Sequence, residues 1–328
     1  MTSHYRIRNW SNYNAALVAR GSLDICLGER SLAPQSDAGS HRWVDEAVLN
    51  AWKNTEKTGK RGASNTYSDL AIETLLTLKS VYRQKLRQTI GFARSLFRLM
   101  SVELDLPHYS TLSRRAHGLN INLSVSEAKG PRHVVVDSTG VKVYGEGEWK
   151  ARKHGISKRR TWLKLHLGFD EETGEILAAV VTPNSTGDSE VLGEMLDDID
   201  DDIEQVSADG AYDRGYCYDY IDERGATAAI PPRKDAVIWV HGNRKGPKHP
   251  RDENLRRIRQ VGRSKWKEQS HYHRRSLSET GMYRLKTIFT GEVCARKLET
   301  QTTELMIECK ALNQMTQLGM PDSYLVEV

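Results

Sequence analysis

The sequence has few of the residues that build disulfide frameworks and zinc sites. Four cysteines are spread over 328 residues, and no two of them form a Cys-x-x-Cys pair. This spacing argues against a zinc site and against a small secreted fold held together by disulfides. The cysteine pattern instead indicates a protein of the reducing cytoplasm.

Long hydrophobic runs are also absent. No stretch reaches the roughly 18 consecutive apolar residues that suggest a membrane-spanning helix, and the first residues contain no signal-peptide hydrophobic region. A Gly-x-x-x-x-Gly-Lys-[Ser/Thr] segment is missing as well. We therefore predict a cytoplasmic protein with no membrane partner, and P-loop nucleotide hydrolysis is not supported.

Basic residues exceed acidic residues only slightly, at 48 against 43, but they are clustered. One cluster spans residues 142–164. Another spans residues 233–267, where glycines and prolines predict a loop. Because clustered Lys and Arg attract polyanions more strongly than a net charge of +5 suggests, we interpret residues 233–267 as a flexible basic insert that contacts phosphates.

Residues 1–125 show the periodicity of helices and form the first predicted domain. Two helices are predicted near residues 68–82 and 84–104, and a short helix that carries Arg114 and Arg115 follows. Two helices, a tight turn and a short basic helix are the layout of a helix-turn-helix DNA reader. An ordinary three-helix bundle with a polar surface is the alternative.

From Arg132 onward the hydrophobic period changes to that of strands, and residues 126–328 form the second predicted domain. The predicted order is three antiparallel strands, helix, strand, helix, strand, basic insert and helix, with a final helix near residues 299–316. This order indicates an α/β domain with a mixed five-stranded sheet.

Two acids directly follow short apolar runs, as residues at the open end of a central strand do. Asp137 ends the first predicted strand and Asp209 ends the fourth. These two strands are natural neighbours in the predicted sheet, so we expect the two carboxylates to meet. Asp213 could be mistaken for the second acid, but we prefer Asp209 because Asp213 is better placed to cap the next helix.

The segment Tyr272–Lys286 carries an acid among cations. Read as one helix, it places Tyr272, Arg275, Glu279 and Lys286 within an arc of roughly 60°. Such a face suits a site that holds a metal ion and a phosphate together. The alternative is a solvated pattern of charges spaced at i,i+4.

Three carboxylates without His or Cys ligands suit Mg²⁺ or Mn²⁺. Two such ions about 3.5–4 Å apart clamp the attacking and leaving oxygens of a phosphoryl displacement. In this interpretation Asp137 bridges both ions, while Asp209 and Glu279 each complete one coordination sphere. Metal-bound water or a DNA 3′-OH is then the nucleophile.

The same residues resemble a known family. Tyr272, Arg275, Glu279 and Lys286 match the Tyr-(2)-Arg-(3)-Glu-(6)-Lys motif of bacterial insertion-sequence DDE transposases, most closely the insertion-sequence-five group. The Asp-Ser-Thr segment at Asp137 and the Asp-Gly-Ala-Tyr-Asp segment that begins at Asp209 also resemble the family's acid motifs, and the resemblance covers nearly the whole chain.

The resemblance implies a ribonuclease H-like catalytic core, binding to the terminal inverted repeats of the element, cleavage at the ends and transfer of the 3′-OH ends into target DNA. It also implies that Tyr272, Arg275 and Lys286 contact DNA, that two or more copies assemble on DNA, and that the protein works at the bacterial nucleoid. Two other functions stay open. One is a metal-dependent nuclease that cuts without joining, and the other is a catalytically inactive DNA-binding regulator. Four tryptophans are candidates for stacking on a flipped base: Trp149, Trp162, Trp239 and Trp266.

Overall fold

The computed structural model describes residues 4–21, 44, 46–55, 65–143, 162–239 and 248–326. Its helices are α1 (Trp10–Gly21), α2 (Glu46–Asn50), α3 (Asp69–Val81), α4 (Leu86–Leu99), α5 (Tyr109–Arg115), α6 (Leu192–Asp197), α7 (Gly215–Glu223), α8 (Pro250–Val261), α9 (Arg263–Gln269), α10 (Ser276–Phe289) and α11 (Leu298–Gln317). Its strands are β1 (His4–Ile7), β2 (Arg132–Val143), β3 (Trp162–Asp170), β4 (Ile176–Pro183), β5 (Ile203–Ser207), β6 (Thr227–Ala229), β7 (Glu292–Val293) and β8 (Ser323–Val326). Short 3₁₀ turns lie at Asp188–Val191, Gly210–Tyr212 and Tyr272–Arg275. Most of the predicted basic cluster at 142–164, with Trp149, falls outside the described residues, as do residues 240–247 of the predicted insert.

The chain divides into two compact units. The first comprises Met1–Ser124 together with Lys297–Val328, and the second comprises Val125–Arg296. The sequence pattern assigns the last helix to the second domain, whereas the structure places α11 in the first unit. The division therefore differs from a simple cut into residues 1–125 and 126–328.

Contacts between α3 and α11 explain where the last helix lies. Lys79 pairs with Glu304, and Glu73 pairs with Lys310, so two ion pairs join the helices. The start of α3 is capped by Ser68, whose side chain accepts a hydrogen bond from the backbone of Ala71. Several apolar side chains of both helices are buried in this unit: Ile72, Leu75, Leu78, Leu305, Ile307 and Leu312.

The second unit is built on a mixed sheet with the strand order β4-β3-β2-β5-β6. Strand β2 is antiparallel to β3 and parallel to β5, so the first and fourth predicted strands are neighbours. The two-residue strand β7 also pairs with β2 and makes the sheet six-stranded rather than five-stranded. A mixed sheet with packed helices is consistent with a ribonuclease H-like core.

The two faces of the sheet have different partners because successive strand residues point to opposite sides. Val134 and Val136 join an apolar core with Leu192 of α6 and Ile221 of α7. Helix α10 packs against β2 and β3 on the face that carries Asp137. The candidate site lies on this second face, between the sheet and α10.

The basic insert differs from its predicted form. The sequence predicts a loop across residues 233–267, whereas the structure contains α8 and most of α9 there. Helix α8 begins with Pro250 after His249, whose side chain caps Arg251. Leu255 and Trp266 are buried, so this amphipathic segment gains apolar burial by forming helices.

The segment that carries the Tyr-Arg-Glu-Lys motif is not one continuous helix. His271 has a φ of 53°, a left-handed conformation that interrupts the chain before a 3₁₀ turn at Tyr272–Arg275. The α-helix α10 starts only at Ser276. Glu279 and Lys286 therefore lie on α10, while the tyrosine and arginine lie on the preceding turn.

Candidate active site

The first predicted acid, Asp137, lies on β2, and the second, Asp209, lies two residues after the end of the neighbouring strand β5. Strand β2 continues to Val143, so Asp137 lies within the strand and not at its end as expected. The parallel pairing of β2 and β5 matches Val135 with Ser207. Because Asp137 and Asp209 each follow that pair by two residues, the register brings them to the same place in the sheet.

Hydrogen bonds fix both aspartates. Asp137 Oδ1 accepts the backbone N–H of Ser138 at 2.8 Å, and its Oδ2 accepts the Ser278 hydroxyl at 3.1 Å. Asp209 caps the following 3₁₀ turn by accepting the backbone N–H of Ala211 at 2.8 Å. Donors of the second unit thus hold both carboxylates in a fixed orientation.

Arg275 joins the third acid to the first. Its Nη1 donates to Asp137 Oδ2 at 2.7 Å, and its Nη2 donates to Glu279 Oε1 at 2.7 Å. The Asp137 side chain is 18% exposed and the Glu279 side chain is 64% exposed, so the arrangement opens to solvent on the α10 side. The guanidinium therefore bridges a strand acid and a helix acid.

The charge of Asp209, the remaining acid, also affects the pKa of Arg275. Burial disfavours its charge, but Tyr272, Asp137, Glu279 and Asp209 outweigh that effect and raise the pKa of the guanidinium. Asp137 and Glu279 therefore bind Arg275 directly, and the charge of Asp209 adds to their effect.

The other motif residues flank this cluster. Tyr272 is 9% exposed, and the Lys267 ammonium and the Arg275 guanidinium lie 4.9 and 6.0 Å from its ring centroid. Burial raises the pKa of Tyr272, so the phenol is neutral. Lys286 is exposed on α10, where its stem lies against Gly291.

Comparison with protein-family models gives two matches, and both are described as a transposase DDE domain. One spans residues 128–314, more than half of the chain, and the other spans residues 38–146. The chain belongs to the DDE transposases. This family cuts and joins DNA, so DNA is a partner of the transposase.

Asp213 of the transposase does not cap α7 as expected, because α7 follows Arg214 and has no side-chain cap; its carboxylate is bound elsewhere. Its Oδ1 accepts Arg251 Nε at 2.7 Å, and its Oδ2 accepts the backbone N–H of Arg233 at 3.1 Å. The side chains of Asp213 and Arg251 are 2% and 5% exposed. This buried pair ties the helical insert to the turn after β5, so Asp213 is occupied by that contact.

Sequence reasoning missed Ser278, which is fully buried on α10. Its hydroxyl contacts Asp137 and also lies 2.8 Å from the carbonyl of Arg275. A serine between apolar and charged positions of a helix gives no signal of such a contact. Only the packing of α10 on β2 shows it.

Sequence reasoning also missed a polar network beside the motif turn. His133 Nε2 lies 2.8 Å from Ser207 Oγ and 3.1 Å from Gln205 Nε2. Gln205 also donates to the carbonyl of Ser270 at 2.9 Å, which ties the chain before the turn to β5. Burial, with the charges of His271 and Arg274, lowers the pKa of His133 to about 4, so its ring is neutral at pH 7.

Tyr212 is a further residue that the sequence pattern did not single out. Its side chain is 1% exposed, and its hydroxyl has no hydrogen-bond partner within the part of the chain that the structure describes. Burial and then the charges of Asp188, Asp137 and Asp209 raise its pKa. The phenol of Tyr212 is therefore neutral and buried in the turn that follows Asp209.

Arg114 and Arg115 of α5 were both predicted to contact DNA, but their side chains have different surroundings. Arg115 donates to the carbonyl of Tyr67 at 2.8 Å and pairs with Asp69, so its guanidinium holds the first unit together. Arg114 is exposed and lies 3.4 Å from Ser110 O. Among the candidate tryptophans, Trp266 is buried, whereas Trp239 is 41% exposed beneath the guanidinium of Arg251.

DDE transposases use divalent metal ions, and the oxygen donors of Asp137, Asp209 and Glu279 are of the type that Mg²⁺ and Mn²⁺ prefer. Over the described residues, no group of three or more His, Cys, Asp or Glu side chains is arranged to hold a metal ion. Arg275 bonds two of the three carboxylates. The residue types therefore fit a divalent ion, but in this arrangement the Arg275 guanidinium occupies the carboxylate oxygens of Asp137 and Glu279 that would bind it.

In the part of the chain that the structure describes, no helix is both long and apolar enough to cross a lipid bilayer.

Proposed function

We propose that this protein is a transposase of the insertion-sequence-five group that binds the terminal inverted repeats of its element, cleaves DNA at the ends and joins the 3′-OH ends to target DNA. One observation carries the proposal. Asp137 and Glu279, which lie far apart in the sequence, both bind Arg275, and the register of β2 with β5 places Asp209 next to Asp137. The matches to transposase DDE domains support the same reaction class.

In this proposal Asp137, Asp209 and Glu279 hold the divalent ions, two Mg²⁺ or Mn²⁺. Bound ions supply the activation of the attacking oxygen and the neutralisation of the leaving oxygen. Asp137 is preoriented by Ser278, and Asp209 by its own turn. These contacts hold the strand acids in place before any ligand arrives.

Arg275 has two roles in this proposal. In the ion-free protein it neutralises Asp137 and Glu279, which would otherwise repel each other. A guanidinium that no longer paired with these carboxylates would be suited to bind a DNA phosphate, because its fork of donors matches the phosphate oxygens. Lys286 and Tyr272 flank the same place and are proposed to position the strand.

The first unit is proposed to recognise the inverted repeats, and the resemblance to the insertion-sequence-five group supports assembly of two or more copies on DNA. The same resemblance supports work at the bacterial nucleoid. These roles are compatible with the exposed basic side chains of α4 and α5.

The decisive experiment compares Asp137→Asn, Asp209→Asn and Glu279→Gln with Glu223→Gln, which removes an exposed acid at the end of α7. Purified full-length proteins are incubated with duplexes that carry the DNA ends flanking the coding sequence, with and without Mg²⁺. We expect the three site variants to lose cleavage while keeping end binding, and Glu223→Gln to cleave normally. Full cleavage by any one of the three would remove that residue from the site.

The same assay separates the remaining functions. Joined products on a target plasmid support a transposase, whereas cleaved ends without joined products indicate a nuclease. Specific end binding without any cleavage by the unaltered protein indicates an inactive regulator.

A further inference from the structure

Helices α3 and α4, both predicted from the sequence, are joined by a shorter connection than α4 and α5, the helix in which the DNA reader was predicted. Only Tyr82–Lys85 separate α3 from α4. Arg83 has a φ of 50°, and Gln84 N–H donates to the carbonyl of Lys79 at 2.8 Å. A helix-turn-helix has a turn of this length between its two helices. In such a motif the second helix enters the DNA groove, and α4 is the second helix of this pair.

One face of α4 is exposed and basic. Its apolar side chains, among them Ile90, Ala93 and Phe97, are buried on the opposite side. No Asp or Glu occurs between Leu86 and Leu99. Six exposed residues recur at helical spacing and form what we call the α4 face: Arg87, Gln88, Gly91, Arg94, Ser95 and Arg98.

Within the described structure, no neighbouring atom requires a glycine at position 91, the centre of the α4 face. A Cβ added there would meet no atom within 4 Å. A glycine in the middle of a helix lowers helix stability relative to alanine, so its presence calls for a different explanation. A missing side chain at the centre of an exposed face lets a partner approach the helix backbone closely.

Helix α5 supports α4 rather than offering a surface of its own. The Arg87 guanidinium lies 4.5 Å from the ring centroid of Tyr109, and its Nη2 donates to the Tyr109 hydroxyl at 3.0 Å. This contact fixes the first residue of α5 against the start of α4. Arg115 is occupied by Tyr67 and Asp69. The seven-residue α5 is left with Arg114 as its exposed cation.

We propose that the α4 face, and not α5, is the surface by which this protein contacts the DNA duplex, with Gly91 at the point of closest approach. The inference rests on the proposed DNA-binding function of the first unit. A 14-residue helix is about 21 Å long and has a width that the major groove accepts. Arg94 and Arg98, on one side of Gly91, are the arginines of the α4 face that contact the DNA.

The test uses full-length protein and fluorescence anisotropy with two labelled duplexes of equal length. One carries the DNA ends that flank the coding sequence, and the other is a shuffled sequence. We expect Arg94→Gln and Arg98→Gln each to weaken binding of the end duplex about tenfold. Each should reduce the slope of log affinity against log salt by about 0.9 if it contacts one phosphate. Arg6→Gln removes the same charge from β1 and should bind within about twofold of the unaltered protein.

Gly91→Ala provides a second test of the inference that does not depend on the folding of the arginine variants. Because its Cβ meets nothing in the described structure, we expect this variant to melt at a higher temperature and yet to bind DNA more weakly. Normal binding by Gly91→Ala, Arg94→Gln and Arg98→Gln, together with weak binding by Arg114→Gln, would overturn the inference and leave α5 as the reader. If the unaltered protein binds neither duplex, the proposed DNA-binding function itself fails.

Discussion

The contact between Gly281 and Phe169 gives the sharpest test of how the site is assembled. Gly281 lies two residues after Glu279 on α10, and Phe169 is 1% exposed on β3. A Cβ placed on Gly281 would overlap Phe169 Cε1 and lie 2.6 Å from its Cζ. We therefore predict that Gly281→Ala forces α10 away from the sheet.

The expected size follows from two opposing effects. On an exposed helix, replacing glycine with alanine stabilises by up to about 1 kcal/mol. Here the added atom is more than about 1 Å closer than the optimal carbon–carbon separation of about 3.5–4.0 Å. Overpacking a buried contact costs about 1–3 kcal/mol, so we expect a net loss of stability despite the better helix former.

Function should suffer together with stability. A shift of α10 moves Glu279 and Ser278 relative to Asp137, although none of these side chains is altered. Misplacing catalytic groups by about 1 Å can lower a rate about 100-fold. End cleavage should therefore fall even at temperatures where the variant is fully folded.

The measurement is a double-mutant cycle with Phe169→Leu, using urea denaturation and hydrogen exchange of the α10 amides. In the Phe169→Leu background, Gly281→Ala should cost less, because the ring that it meets is gone. Gly91→Ala is the matched control, since its Cβ is unobstructed and should stabilise. Equal or greater stability of Gly281→Ala in the unaltered background would refute the argument that this glycine sets the distance between α10 and the sheet.

Three further predictions concern charged groups. Arg275→Gln should bind Mn²⁺ more tightly in the absence of DNA, because the guanidinium no longer occupies Asp137 and Glu279; electron paramagnetic resonance of free Mn²⁺ measures this, and unchanged affinity would show that Arg275 does not compete with the ion. Asp213→Ala should destabilise the fold by about 3–5 kcal/mol in urea denaturation because it leaves Arg251 buried without its partner. Asp209→Ala removes only a cap and should cost about 1 kcal/mol, and equal losses would contradict the division between a structural and a site aspartate. His133 has a pKa lowered to about 4 from 6.5, so the unfolded chain binds more protons between these values and stability should fall as pH decreases through that window. His133→Gln should weaken this dependence in melting temperatures recorded from pH 4 to 7.5, and an unchanged profile would show that the ring does not titrate differently on folding.

Local patterns were sufficient for the order of the strands and for the candidate acids. The short apolar runs before Asp137 and Asp209 are those of buried strands, and both runs lie in adjacent strands of the sheet. The motif residues are recognisable by spacing alone. These features depend on neighbours within a few residues, so the sequence carries them directly.

The helical insert shows where local patterns mislead. Its many charges and its glycines and prolines predict a loop, but α8 and α9 form because Leu255 and Trp266 are buried and Arg251 finds Asp213. That partner lies 38 residues earlier in the chain. A contact at such a distance leaves no periodic signal in either segment.

Hydrophobic period and residue spacing are local properties, so the class of fold, the resemblance to the Tyr-Arg-Glu-Lys motif and three candidate acids could be predicted without the structure. The packing of α11 on α3, the position of Asp137 inside an extended strand and the bridging of two acids by Arg275 could not. Each of these depends on pairing between segments far apart in the chain. Their partners are chosen by the packed fold, where burial and charge act together.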